Sequence, residues 1–384
     1  MNIPSEFDEI RPYSPEELPQ IFDELLSDND FKEVVKIVLP DVPFEALAHT
    51  LKQCKTNLDV QKNIFYGLLH DILRKFSDGF DLDVSALKEK NKGYTFISNH
   101  RDIVLDSGFL SVGLIDNGFP TTVEIAIGDN LLIYPWIKKL VRVNKAFIVQ
   151  RSLGMRQMLE ASARMSRYIH FAVTQKSENI WIAQREGRAK DSNDRTQDSV
   201  LKMLAMGGEK NIIDSLKELN IVPLSLSYEF DPCDFLKAKE MQLKRDIEGF
   251  KKSQQDDLDN MKTGIFGYKG RIHFHAAPCI NDELEALRGL PKTEIFTRVS
   301  DIIDKYIHKN YRLYPANYIA YDMLNGGKTM ASHYNEEDIA KFNAYTGKKL
   351  SLIDIENKDE AFLKERMLVM YANPVINHLK AINE

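Results

Sequence analysis

The sequence predicts an α/β fold, a mixed sheet flanked by helices, with a helical domain ahead of it. Three observations carry this expectation. Residues 15–76 place apolar side chains at helical spacing, as in Leu18, Ile21, Phe22 and Leu25 and later Ile64, Leu68 and Ile72, with Pro40 and Pro43 breaking between helices. From Tyr94 onward short β-rich runs alternate with helical stretches, the order in which helices cover a sheet. From about 292 the pattern is helical again.

The expected organisation is a helical domain over 1–84, an α/β core over 85–290 and a helical segment over 291–384. Asp78-Gly79 marks the turn into the core. Strands are expected near 94–98, 123–127, 146–150, 179–183, 221–228 and 271–276. Between the last two, Asp234 to Lys262 is charged and nearly free of glycine and proline, with apolar residues only at intervals: Leu236, Met241, Leu243, Ile247 and Phe250. It reads as a helix or helical hairpin, largely solvated, inserted at about 234–262. In the tail, Ile295, Val299, Ile302, Ile303 and Tyr306 recur at helical spacing, and Gly326-Gly327 separates a final helical stretch.

A chain of 384 residues, 43% hydrophobic, can bury a sizeable core in one or two domains. Its net charge of −6 argues against a nucleic-acid partner. Cys54, Cys233 and Cys279 are odd in number and lack metal-ligand spacing, so they read as reduced thiols of a cytoplasmic protein, Cys233 at the surface. The segment from Met1 to Glu9 has neither the basic start nor the apolar run of a signal peptide, and no run approaches the eighteen or so apolar residues of a membrane span. Leu131 to Arg142 mixes aromatic, aliphatic and basic residues, which suits either an interfacial element or a packed helix with a basic outer face.

Chemistry is expected where the apolar run Phe96-Ile97-Ser98 meets the polar turn Asn99-His100-Arg101-Asp102 and, after Ile103, Val104 and Leu105, reaches Asp106. An imidazole held by a carboxylate can take a proton from a substrate hydroxyl and stabilise its own resulting charge. Either Asp102 or Asp106 could orient His100, and an aspartate at 102 also stands where it would cap a helix. Farther on, Arg151, Arg185, Arg188 and Lys190 around Gly187 form a candidate anion site. Arginine offers planar, permanently charged donors, and glycine lets backbone amides approach the same oxygens.

In order along about 85–280, four segments resemble the sequence blocks of the glycerophosphate acyltransferase family. They are Asn99-His100 with Asp106, Asn144 to Arg151, Ile180 to Lys190, and Ile221 to Tyr228 with its Val222-Pro223 step. The resemblance implies a glycerolphosphate acyltransferase-like core that moves a fatty acyl group from acyl-CoA or acyl carrier protein to a hydroxyl of glycerol 3-phosphate or its 1-acyl derivative, in phospholipid synthesis. It makes His100 the base and Asp106 its orienting carboxylate. It makes Asn99, Arg101, Arg151, Gly187, Arg188 and Lys190 substrate-binding, with Arg151, Arg188 and Lys190 on the acceptor phosphate. It requires no metal or cofactor, and it implies contact with the inner face of a membrane.

Two departures stand out. Five residues, not four, separate His100 from Asp106, and the acid that usually precedes the third-block glycine is displaced among Arg185 and Glu186. The amino-terminal helices resemble those of soluble, plastid-type glycerol-3-phosphate acyltransferases. An aminolipid acceptor, or a non-catalytic lipid or acyl-carrier binding protein of the same fold, stays open.

Overall fold

Strands buried on both faces need helices above and below them, and this chain supplies both layers. The computed structural model describes residues 3–151, 153–208 and 211–383, so Met1 and Asn2 of the amino-terminal segment lie outside the described residues. Among them, β1 (Phe80–Asp83), β2 (Thr95–Ser98), β3 (Val123–Gly128), β4 (Ala146–Val149), β5 (Asn179–Ala183), β6 (Ile221–Tyr228) and β7 (Ile272–Ala276) form one sheet in the order β1-β7-β6-β2-β5-β3-β4. The strands from β6 to β4 are mutually parallel; β7 runs antiparallel to β6, and β1 follows the direction of β7. The sheet is therefore mixed, and the fold is α/β with helices on both faces.

Six of these strands stand where the hydrophobic pattern puts them. β1 was not expected. Its sequence, Phe-Asp-Leu-Asp, is too short and too polar to announce a strand, and it forms at the sheet edge by pairing with β7.

Alternation along β2 and β6 divides the core. Phe96, Leu224, Leu226 and Tyr228 face the helix Leu105–Asp116, together with Trp181 and Phe274. Ile97, Ile182 and Ile221 face the helices Met155–Thr174 and Lys292–Lys309. Leu105 and Phe109 are fully buried. Each contributes roughly 1.5–3 kcal/mol by burial, which anchors the helix that follows the His100 turn.

The helices Leu18–Ser27, Asn29–Val38 and Phe44–Gln53 share a separate core of Phe22, Leu25, Phe31 and Leu51. Val143 of the helix Pro135–Val143 joins it, and Trp136 lies 5.9 Å from Phe31. Much of the stretch that could have been interfacial is thus a packed helix, with Tyr134 and Lys138 exposed on it or beside it.

The charged region after β6 forms two helices, Asp234–Asp246 and Gln254–Phe266. The first is not largely solvated as its composition suggests. Lys237 is fully buried and pairs with Asp231, and Gln242 is buried as well. Cys233 is also buried rather than at the surface; its thiol donates to the Asn260 carbonyl at 3.3 Å, and burial pushes its pKa up to about 12. The carboxy-terminal helix Glu360–Asn383 packs on Asp234–Asp246, Lys292–Lys309 and Pro315–Asn325. No helix among the described residues is long and apolar enough to cross a membrane.

Candidate active site

β2 ends at Ser98, and the turn beyond it is clamped from both edges. Asn99 donates to the Leu226 carbonyl at 2.9 Å and accepts from the Leu226 amide at 2.8 Å, so its amide group is spent on β6. Ser98 accepts from the indole of Trp181 at 3.0 Å. The strand alternation carries into the turn: His100 leaves toward Trp181, whose ring it meets edge-on at 5.4 Å, while Arg101 leaves on the opposite face toward Asp194.

His100 Nδ1 lies 2.8 Å from Asp106 Oδ2. A carboxylate only accepts, so Nδ1 carries the proton and Nε2 keeps its lone pair. The His100 side chain is 14% exposed and Asp106 is fully enclosed. Asp106 Oδ2 also accepts from the amides of Arg101, at 2.7 Å, and Asp102, at 3.1 Å, while Oδ1 accepts from the Tyr228 hydroxyl at 2.9 Å. The extra residue between His100 and Asp106 is absorbed in this turn.

Asp102 takes the other role that the sequence left open. Its Oδ1 accepts from the amides of Val104, at 2.9 Å, and Leu105, at 2.8 Å, capping the start of the helix Leu105–Asp116. Burial, then the nearby Asp106 charge, raise its carboxyl pKa. Four amides of the turn after His100 are therefore taken: those of 101 and 102 by Asp106, those of 104 and 105 by Asp102.

The expected substrate-binding residues fall into three places. Arg101 is buried against Asp194 at 2.6 Å, and although burial opposes its charge, Asp194, Tyr311 and Asp231 hold its pKa above the usual arginine range. A small cleft, partly open to solvent, adjoins it between Tyr311, Arg312, Met370, Tyr371 and Pro374. Arg151, exposed beyond β4, donates from its backbone to Asp129 at 3.2 Å and from its guanidinium to Glu186 at 3.4 Å.

Gly187 is exposed with φ +65°, a conformation glycine adopts without strain. One residue later the chain turns inward, and Arg188 is 7% exposed, donating to Asn260 at 3.1 Å. Its Nη1 is buried without a hydrogen-bond partner among the described residues. Lys190 pairs with Glu240 at 2.6 Å; burial, with Arg188 adding to it, lowers its pKa to about 8. Arg188 and Lys190 share one neighbourhood, Arg151 joins Glu186 and Asp129, and Arg101 pairs with Asp194.

Tyr228, Asp194, Asn260 and Glu240 complete the arrangement, and sequence reasoning assigned no role to their side chains. The odd-even alternation of β2 was a usable signal, since continuing it past Ser98 separates His100 from Arg101. Nothing local marks the others, because their partners are distant in the chain. Among the described residues no group of three or more His, Cys, Asp or Glu side chains is placed to hold a metal ion.

No protein-family model matches the chain, and no curated protein does. Among solved structures the chain is similar to the 1-acyl-sn-glycerophosphate (LPA) acyltransferase PlsC from Thermotoga maritima. The identity is 10% and the TM-score 0.37, covering 76% of this chain and 96% of that one. A likeness that distant carries no argument about chemistry.

Proposed function

We propose that this chain is an O-acyltransferase that moves a fatty acyl group from acyl-CoA or acyl carrier protein to a hydroxyl of glycerol 3-phosphate or its 1-acyl derivative. The observation that carries the reading is the His100–Asp106 contact, with Nδ1 held and Nε2 free to act as base. The block resemblance around it supplies the reaction class.

Nε2 takes the proton of the acceptor hydroxyl as its oxygen attacks the thioester carbonyl. The new C–O bond forms, the C–S bond breaks as the tetrahedral intermediate collapses, and the proton returns to the leaving thiolate. Asp106 stabilises the imidazolium in between. Arg188, buried with an unpartnered Nη1, is assigned to the acceptor phosphate. Contact with a membrane surface is assigned to the exposed Tyr134, Met158 and Leu159, with Lys138 and Arg156 beside them in the chain.

A second reading, a non-catalytic lipid or acyl-carrier binding protein, draws support from the pairing of Lys190 with Glu240 and Arg151 with Glu186, which occupies charges a phosphate would need. Thiol release from a long-chain acyl-CoA, with glycerol 3-phosphate and 1-acylglycerol 3-phosphate as alternative acceptors, separates the two. Acceptor-dependent release that disappears in His100→Ala supports the transferase; binding of acyl donor without release with either acceptor overturns it.

A further inference from the structure

Asp106 is fully buried, so both of its oxygens must find donors inside the protein. Oδ2 has His100 Nδ1 and two backbone amides of the turn. Oδ1 has the hydroxyl of Tyr228, which reaches it from the end of β6, 122 residues along the chain. A carboxylate rotates readily about its terminal torsion, which is broad and roughly two-fold, so donors on one oxygen alone leave its plane loosely fixed. A donor on the second oxygen fixes that plane.

The Tyr228 ring is itself held, packed against Phe274 at 6.0 Å and 61°. Burial above all, and then the Asp106 charge, keep its phenol protonated well beyond the ordinary tyrosine range, so it donates at every working pH.

We infer that Tyr228 is a positioning residue of the His100–Asp106 pair, turning it into a His–Asp–Tyr relay in which the phenol sets both the plane and the basicity of the carboxylate. This rests on the transferase reading only for its kinetic consequence. By drawing charge toward Oδ1, the phenol weakens the pull of Oδ2 on the imidazolium that forms when His100 takes a proton. The competing explanation is that a buried phenol simply needs an acceptor.

Tyr228→Phe separates the two, because it keeps the ring and its contact with Phe274. The His100 ring is followed by NMR titration, its signals assigned among the nine histidines by their absence in His100→Asn. The expected result is a His100 titration displaced to higher pH than in the wild type, with kcat lowered roughly ten-fold or more and both KM values unchanged. The acid limb of the kcat profile moves to higher pH with the imidazole.

Tyr311→Phe is the matched control. Its hydroxyl likewise donates to a buried carboxylate, Asp194 at 2.8 Å, but on the Arg101 face. It should cost stability and leave the His100 titration in place. An unchanged His100 pKa in Tyr228→Phe, or an equal shift in Tyr311→Phe, overturns the inference. If the wild type releases no thiol at all, the transferase reading fails while the titration still decides the role of Tyr228.

Discussion

Gly264 approaches Asp102 so closely that a β-carbon on it would lie 1.9 Å from Oδ2. The helix Gln254–Phe266 thus lies directly on the residue that caps the helix after His100. Gly264→Ala must push Asp102 aside, at about 1–3 kcal/mol for overpacking. The cap bonds to Val104 and Leu105 should break with it. In Gly264→Ala/Asp102→Ala the two losses should fall well short of additive, as read from urea midpoints.

The two aspartates of the turn should separate cleanly. Asp106→Asn presents an amide where His100 needs a carboxylate, and it should lower kcat by orders of magnitude, beyond whatever stability its buried hydrogen bonds supply. Asp102→Ala should instead cost about 1–2 kcal/mol as a lost helix cap and leave most of the turnover. The reverse ranking would reassign the orienting role.

His100→Ala should abolish acceptor-dependent thiol release while the protein remains folded, because the ring lies in a polar turn and adds little to the core. Circular dichroism beside the thiol assay checks both halves.

Arg188→Ala removes the buried guanidinium assigned to the acceptor phosphate. A hydrogen bond to a charged group contributes about 1.5–3 kcal/mol, so the acceptor KM should rise roughly ten-fold or more. Donor saturation should not move. A variant that loses donor binding and keeps normal acceptor saturation would show that this residue reads the coenzyme or carrier phosphate.

Lys269 is buried, its ammonium donating to the carbonyls of Ile265 at 3.0 Å and Gly267 at 2.6 Å, and burial lowers its pKa to about 8. Between there and the ordinary lysine value near 10.5 the unfolded chain binds the extra proton, so this group adds stability as pH rises. The unfolding free energy of the wild type minus that of Lys269→Met should therefore climb across that window, by up to about 1.4 kcal/mol per pH unit. Taking the difference cancels the thiols and phenols common to both proteins. A flat difference would show that Lys269 keeps its proton throughout.

Strand placement was legible because burial on both faces of β2, β5 and β6 demands continuous apolar runs. The direction of β7 was not, since antiparallel pairing with β6 is fixed by long-range register, such as Leu226 opposite Phe274. Composition also misled for Asp234–Asp246: Lys237 reads as solvated until Asp231 is found beside it. At the turn, two aspartates of one type four residues apart offered the same chemistry, and only geometry shows which one meets the imidazole. Arg101, next to His100, turns to Asp194, a partner 93 residues away that nothing local announces.

The turn is fastened by ties of long reach: Asn99 to Leu226 across 127 residues, Asp106 to Tyr228 across 122 and Arg101 to Asp194 across 93. Closing such loops adds little to the equilibrium cost, about 0.6 kcal/mol per doubling of length, but it slows folding. During synthesis β2 is made long before the strands that flank it, so its backbone edges wait unpaired while about eighty residues emerge ahead of β5 and more than a hundred ahead of β6. The segment that carries the imidazole thus needs shelter at the ribosome over that span, and its site is complete only after β6 has docked.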